Sequence, residues 1–155
     1  MMRQEATRFA KSSLVFARLA LGTSFLSAVA DRFGLWGVYG QPNVSWGNFA
    51  RFVDYTAKVN SYLPSSMIPS AAIIATIAEV LFGLLLIVGW KTRIVAVLSG
   101  VLLITFALAM TISLGVKAPL NYSVFSAAAG ALLLGAADEF PLSLDAWFRR
   151  NRRES

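Results

Sequence analysis

Glu79 is the residue of this sequence whose type and position most invite chemistry, because it stands inside the 24-residue apolar run from Met67 to Trp90. An acidic or basic group at the centre of a bilayer costs about 2.5–3.5 kcal/mol on the insertion scale, so something must neutralise it or use it. Three readings stay open. Glu79 is a proton or ligand site, accepting a hydrogen bond from a quinol or exchanging a proton with it; or it forms a structural pair with Arg18, the other ionisable residue within an apolar run; or its carboxyl stays protonated in a low dielectric. Counted from the same side, Arg18 lies roughly 6–9 Å deep and Glu79 about 16 Å. That gap closes only if Arg18 does not snorkel towards water. Asn121 and Tyr122, beside Pro119, offer hydrogen bonds to a headgroup or a quinone carbonyl, or simply start a helix with an interfacial aromatic.

What the chain lacks narrows the chemistry further. With no Cys and no His, disulfides, thiol redox chemistry, His-ligated haem, Cys-ligated clusters and the usual zinc sites are excluded. Neither a metal nor a covalent cofactor is expected. No phosphate-binding G-x-x-x-x-G-K-[ST], nucleophile-elbow G-x-S-x-G or H-E-x-x-H pattern occurs. The chemistry left belongs to carboxylates, hydroxyls, Arg, Lys, Asn, Gln or a bound molecule.

The elements that must position these groups are membrane helices. Of 155 residues, 57% are hydrophobic and 14% charged, whereas soluble domains carry about 25% charged residues. The apolar stretches Leu14–Ala30, Met67–Trp90, Ile94–Leu114 and Ala118–Ala137 each approach the length needed to cross ~30 Å of hydrocarbon. They predict one membrane domain over 1–155, an all-α four-helix bundle with spans at about 12–31, 67–90, 94–114 and 118–137. The net charge of +6 does not point to nucleic acid, because the basic residues are sorted by side. Arg3, Arg8, Lys11, Arg18, Lys91, Arg93, Arg149, Arg150, Arg152 and Arg153 fall on one side, against Arg32, Arg51, Lys58 and Lys117 on the other. The positive-inside rule then makes both termini cytoplasmic. Trp36, Trp46, Trp90 and Trp147 fall near span boundaries, as an aromatic belt requires. A cleaved signal peptide ending at Ala28-Val29-Ala30 is disfavoured, since Arg18 interrupts its apolar region.

The 31–67 connection is long enough to suggest a purpose. Phe49, Phe52, Val53, Thr56, Val59 and Leu63 recur at helical spacing, predicting an amphipathic helix over the extracytoplasmic end, either a lid or a structural plug. After Asp138-Glu139-Phe140-Pro141 the tail 138–155 reads as a cytoplasmic interfacial helix, with Leu142, Leu144, Trp147 and Phe148 ahead of its arginines. Ser123, Ala127, Ala131 and Gly135 form a small-residue ridge for close helix packing, and Gly83 lies one turn from Glu79. Whether the ridge packs within the chain or in a homo-oligomer is not set by spacing. Thr105, Thr111 and Ser113 are expected to bond backbone carbonyls.

Arg18-Leu19-Ala20-Leu21-Gly22, the run from Glu79 to Trp90 and the following Lys91-Thr92-Arg93, together with the four-span layout and long first loop, resemble the DoxX family of small bacterial membrane proteins. Family members often carry a lysine with glycine near the end of span one; here the sequence is Asp31-Arg32-Phe33-Gly34. The resemblance implies a redox-associated subunit of the bacterial inner membrane that binds quinone or another lipid-soluble molecule near Glu79 and Arg18. It also implies a separate partner protein holding the redox centre, so the chain would be a non-catalytic subunit of a quinone-linked oxidoreductase. The alternatives are a scaffolding protein working through the ridge of span four and, with lower weight, transport by an oligomer, since four spans are few for a transporter.

Overall fold

The computed structural model describes residues 2–154, with the side chains of Arg3 and Arg153, two of the counted basic residues, outside the described residues. All regular elements among them are helical: α1 (Met2–Arg32), α2 (Phe49–Val59), α3 (Ile68–Val88), α4 (Thr92–Leu114), α5 (Lys117–Asn121), α6 (Val124–Ala136) and α7 (Leu144–Glu154), with a 3₁₀ turn at Ser65–Met67. Three helical stretches, Thr7–Arg32, Ser65–Val88 and Thr92–Leu114, are long and apolar enough to cross a membrane. Their outward surface suits lipid, with Ile74, Ile112 and Leu133 each about 70% exposed, where a soluble protein would bury such side chains.

The helices assemble as two close pairs, each set by glycine. On α1 and α3, a Cβ added to Gly22 would lie 2.9 Å from the Gly83 carbonyl oxygen, and one on Gly83 would lie 2.9 Å from Leu26. The backbones touch at this point, and any larger residue would separate them. On α4 and α6, Gly100 fits against Leu132 and Ala128, and Gly135 against Val97 and the Arg93 carbonyl. The small residues of α6 therefore pack on α4 of the same chain. Between the pairs, Phe25, Leu86, Val95, Ala96, Leu134 and Phe140 make the buried core.

The fourth apolar stretch is not the single helix expected over 118–137. It breaks after Asn121, because Ser123 adopts the left-handed backbone (φ 54°, ψ 27°) that ends one helix and precedes the next. The buried face of α6 is accordingly Ala128, Ala131, Leu134 and Gly135; Ser123 is exposed and stands outside it, while Ala127 lies half-buried at its margin. At its other end α3 stops at Val88, not Trp90, since Gly89 takes a left-handed cap and its N–H, with that of Trp90, donates to the Leu85 carbonyl (2.8 and 3.1 Å).

The chain between α1 and α3 covers one end of the bundle, called here the loop end. Asn48 caps α2 by accepting from the Arg51 N–H (3.0 Å). Phe52, Thr56 and Val59 are the buried residues of α2. Ser113 of α4 donates to the Val59 carbonyl (2.8 Å), tying α2 to the bundle, whereas Thr105 and Thr111 bond carbonyls of their own helix. At the opposite, tail end, the stretch from Asp138 to α7 folds back over the α3–α4 turn.

Candidate functional site

Antiparallel packing through Gly22 and Gly83 fixes which residues of α1 and α3 share a level. Arg32 comes level with Thr76 and Arg18 with Gly89: Arg32 Nη1 donates to Thr76 Oγ1 at 2.8 Å, while a Cβ on Gly89 would lie 2.6 Å from Arg18 Nη1. Fourteen residues of helix separate the arginines, roughly 21 Å. Glu79 is one turn below Thr76, so its partner is Arg32.

Arg32 Nη2 forms an ion pair with Glu79 Oε2. Both residues are buried, at 2% and 4% exposure. Thr76 passes the network to the backbone by donating to the Ala72 carbonyl (2.8 Å). Above the pair lies an aromatic cover. The Arg32 guanidinium carbon sits 3.7 Å from the centroid of the Phe52 ring and 5.4 Å from that of Trp46, distances at which a cation is attracted to a π face. Trp46 in turn packs edge-on to Phe52 (5.1 Å), and Phe33 stacks on Phe49 (5.8 Å). Asp31 anchors this cover, its Oδ2 accepting from the Ser45 and Trp46 N–H groups (2.9 and 3.2 Å).

The cluster can hold a proton and can recognise a polar atom in an otherwise apolar setting. Arg32 Nε is buried without a hydrogen-bond partner, and Glu79 Oε2 has none beyond the ion pair. A buried guanidinium with a spare N–H fits a carbonyl, and a carboxylate beside it fits a hydroxyl. No group of three or more potential metal ligands occurs among the described residues.

Of the three readings of Glu79, the pair with Arg18 is not formed. Arg18 is buried, but Nη1 donates to the Pro141 carbonyl (3.2 Å) and Nη2 to that of Leu142. Beside it, Asp145 accepts from the Lys91 and Thr92 N–H groups (2.8 and 2.7 Å), satisfying donors at the start of α4, and its own N–H donates to the Gly89 carbonyl (3.0 Å). Lys11 and Glu139 add a surface ion pair at 3.1 Å. Arg18 is therefore a clamp on the tail, level with Gly89 and so about 15 Å along the helix axis from Glu79.

Asn121 and Tyr122 are exposed at the loop end, and the side chains around the Arg32–Glu79 pair come from α1, the 33–48 segment, α2 and α3. Tyr122 lies near Tyr55 of α2, whose phenol is pushed above its usual range by burial, with Tyr122 adding to the shift. Sequence reasoning missed Arg32, Thr76, Phe52 and Trp46 as members of one cluster. A signal for Arg32 was present: it stands in the Asp31-Arg32-Phe33-Gly34 segment, where the resembled family often has a lysine with glycine.

A family model described as DoxX matches residues 13–113, from within α1 to all but the last residue of α4. No curated protein and no solved structure matches the chain.

Proposed function

This chain belongs to the DoxX family of membrane proteins, and from that premise we propose that it is a redox-associated subunit that binds quinone beside Glu79 and works with a separate redox partner. The buried Arg32–Glu79–Thr76 cluster under Phe52 and Trp46 carries this reading. A bound quinone supplies two-electron, two-proton redox chemistry, and the partner protein supplies the electrons. Arg32 Nε donates to a quinone carbonyl, Glu79 accepts from the quinol hydroxyl and holds the exchanged proton, and the aromatic cover excludes water.

The setting goes with four spans in a bacterial inner membrane, α5 and α6 together making the fourth, with both termini cytoplasmic by the charge asymmetry. In that topology α2 is an interfacial helix capping the extracytoplasmic end. A scaffolding role through span four is less well supported, since Ala128, Ala131 and Gly135 are already used against α4. Lipid remains the main neighbour of the outward surface.

Mass spectrometry of the organic extract of protein purified in mild detergent tests the proposal, beside an unrelated four-span protein from the same cells. Near-stoichiometric quinone is the expected result, falling at least about tenfold in Glu79→Gln while the variant stays folded. An extract indistinguishable from the control would overturn it.

A further inference from the structure

Three charged side chains are buried at the loop end, Asp31, Arg32 and Glu79. The group holds two carboxyls and one guanidinium. Arg32 spends its ion pair on Glu79. Asp31 uses Oδ2 for the Ser45 and Trp46 amides, while Oδ1 is buried with no partner. An unpartnered carboxylate oxygen is a costly group to bury and calls for a donor.

Asp31 forms part of the wall of an open groove of about 850 Å³ between the last turns of α1 and the 36–46 segment. Trp36 and Trp46 lie in the same wall, with Ser24, Ser27 and Asn43 as polar neighbours. The Trp36 indole is fixed, since its Nε1 donates to both the carbonyl and the hydroxyl of Ser27 (3.1 Å each). The groove therefore brings together an acidic side chain with an unpartnered, buried oxygen, two indoles and hydroxyls. A divalent metal ion would need several oxygen ligands and finds one carboxylate. An organic cation matches every part, its charge on Asp31 and its substituents on the indoles.

We propose that this groove binds an organic ammonium group, carried either by a lipid headgroup or by a small soluble amine, with Asp31 as its counter-ion. The site is separate from the quinone reading, because its test leaves Glu79 untouched.

Native mass spectrometry of the detergent-solubilised protein would compare retention of phosphatidylethanolamine with that of phosphatidylglycerol, which has no cation. Tryptophan fluorescence would follow ethanolamine titration in parallel. For a lipid source, phosphatidylethanolamine is retained at least about tenfold better, and Asp31→Asn removes the preference. For a soluble source, ethanolamine changes the fluorescence at millimolar concentration in the parent protein but not in Asp31→Asn. Ser24→Phe fills the groove while keeping the Asp31 anchor to the loop, so it should abolish either signal even where Asp31→Asn does not fold. Equal retention of the two lipids with no response to ethanolamine would overturn the proposal, as would a preference that survives Ser24→Phe.

Discussion

The two arginines of α1 are both buried and lie on one helix, yet they are satisfied by opposite kinds of partner. Arg18 meets the backbone carbonyls of Pro141 and Leu142, neutral dipoles that accept its charge without cancelling it. Arg32 meets a carboxylate, a hydroxyl and an aromatic face. The first arrangement holds a segment in place; Asp145 acts on Arg18 only through space, and no titratable group among the described residues touches it directly. The second couples a charge to a group that can take up a proton. A charge in an apolar helix is thus not by itself a chemical site; the partner decides.

Removing Arg32 should have the largest effect. Arg32→Leu leaves Glu79 buried without its counter-charge, a loss of about 3–5 kcal/mol, seen as loss of monodisperse protein or a lowered unfolding midpoint in detergent. The double replacement Arg32→Leu with Glu79→Leu should recover most of that loss. A coupling below about 0.5 kcal/mol would show that the two residues do not act as a pair. Arg18→Leu should lose less, about 1.5–3 kcal/mol for hydrogen bonds from a charged group. Its readout is local: proteolysis of the 138–154 segment accelerates, and no change at Glu79 restores it. Smaller still is Asp145→Ala, about 1 kcal/mol from the lost cap on α4, with the same proteolytic signature.

The smallest effect concerns pH. Burial raises the Tyr55 phenol above its ordinary value, so the folded chain holds that proton more tightly than the unfolded one. The associated stability is complete below about pH 10 and is lost as pH rises through the raised value. Absorbance titration should show Tyr55 ionising late, and Tyr122→Phe should bring it partly back. An unshifted titration would place α2 away from the end of the bundle.

Glu79 was legible in the sequence because a carboxylate stands out against an apolar run. Its partner was not, because depth counted from estimated boundaries does not give the register between two helices. Gly22 and Gly83 set that register by direct backbone contact, which places Arg32 level with Thr76 and leaves Arg18 level with Gly89. The small residues of span four were legible as a packing device, but the face they use was displaced. Ser123 leaves the helix through a left-handed turn that an alanine-rich sequence does not announce. The destination of Arg18 lay beyond local pattern altogether, since its carbonyl partners are 123 and 124 residues away.

That separation has a consequence in time. At about 5–20 residues per second, roughly 6–25 s pass between synthesis of Arg18 and of Pro141 and Leu142. Throughout that interval α1 carries a guanidinium whose eventual acceptors do not yet exist, so its tail end has to borrow water or headgroup oxygens. Closure of the tail over the α3–α4 turn then waits for synthesis of residues 141 and 142. A chain arrested before residue 141 would hold its helices in the membrane with this latch open, and quality-control proteases would have a ready mark of an unfinished molecule.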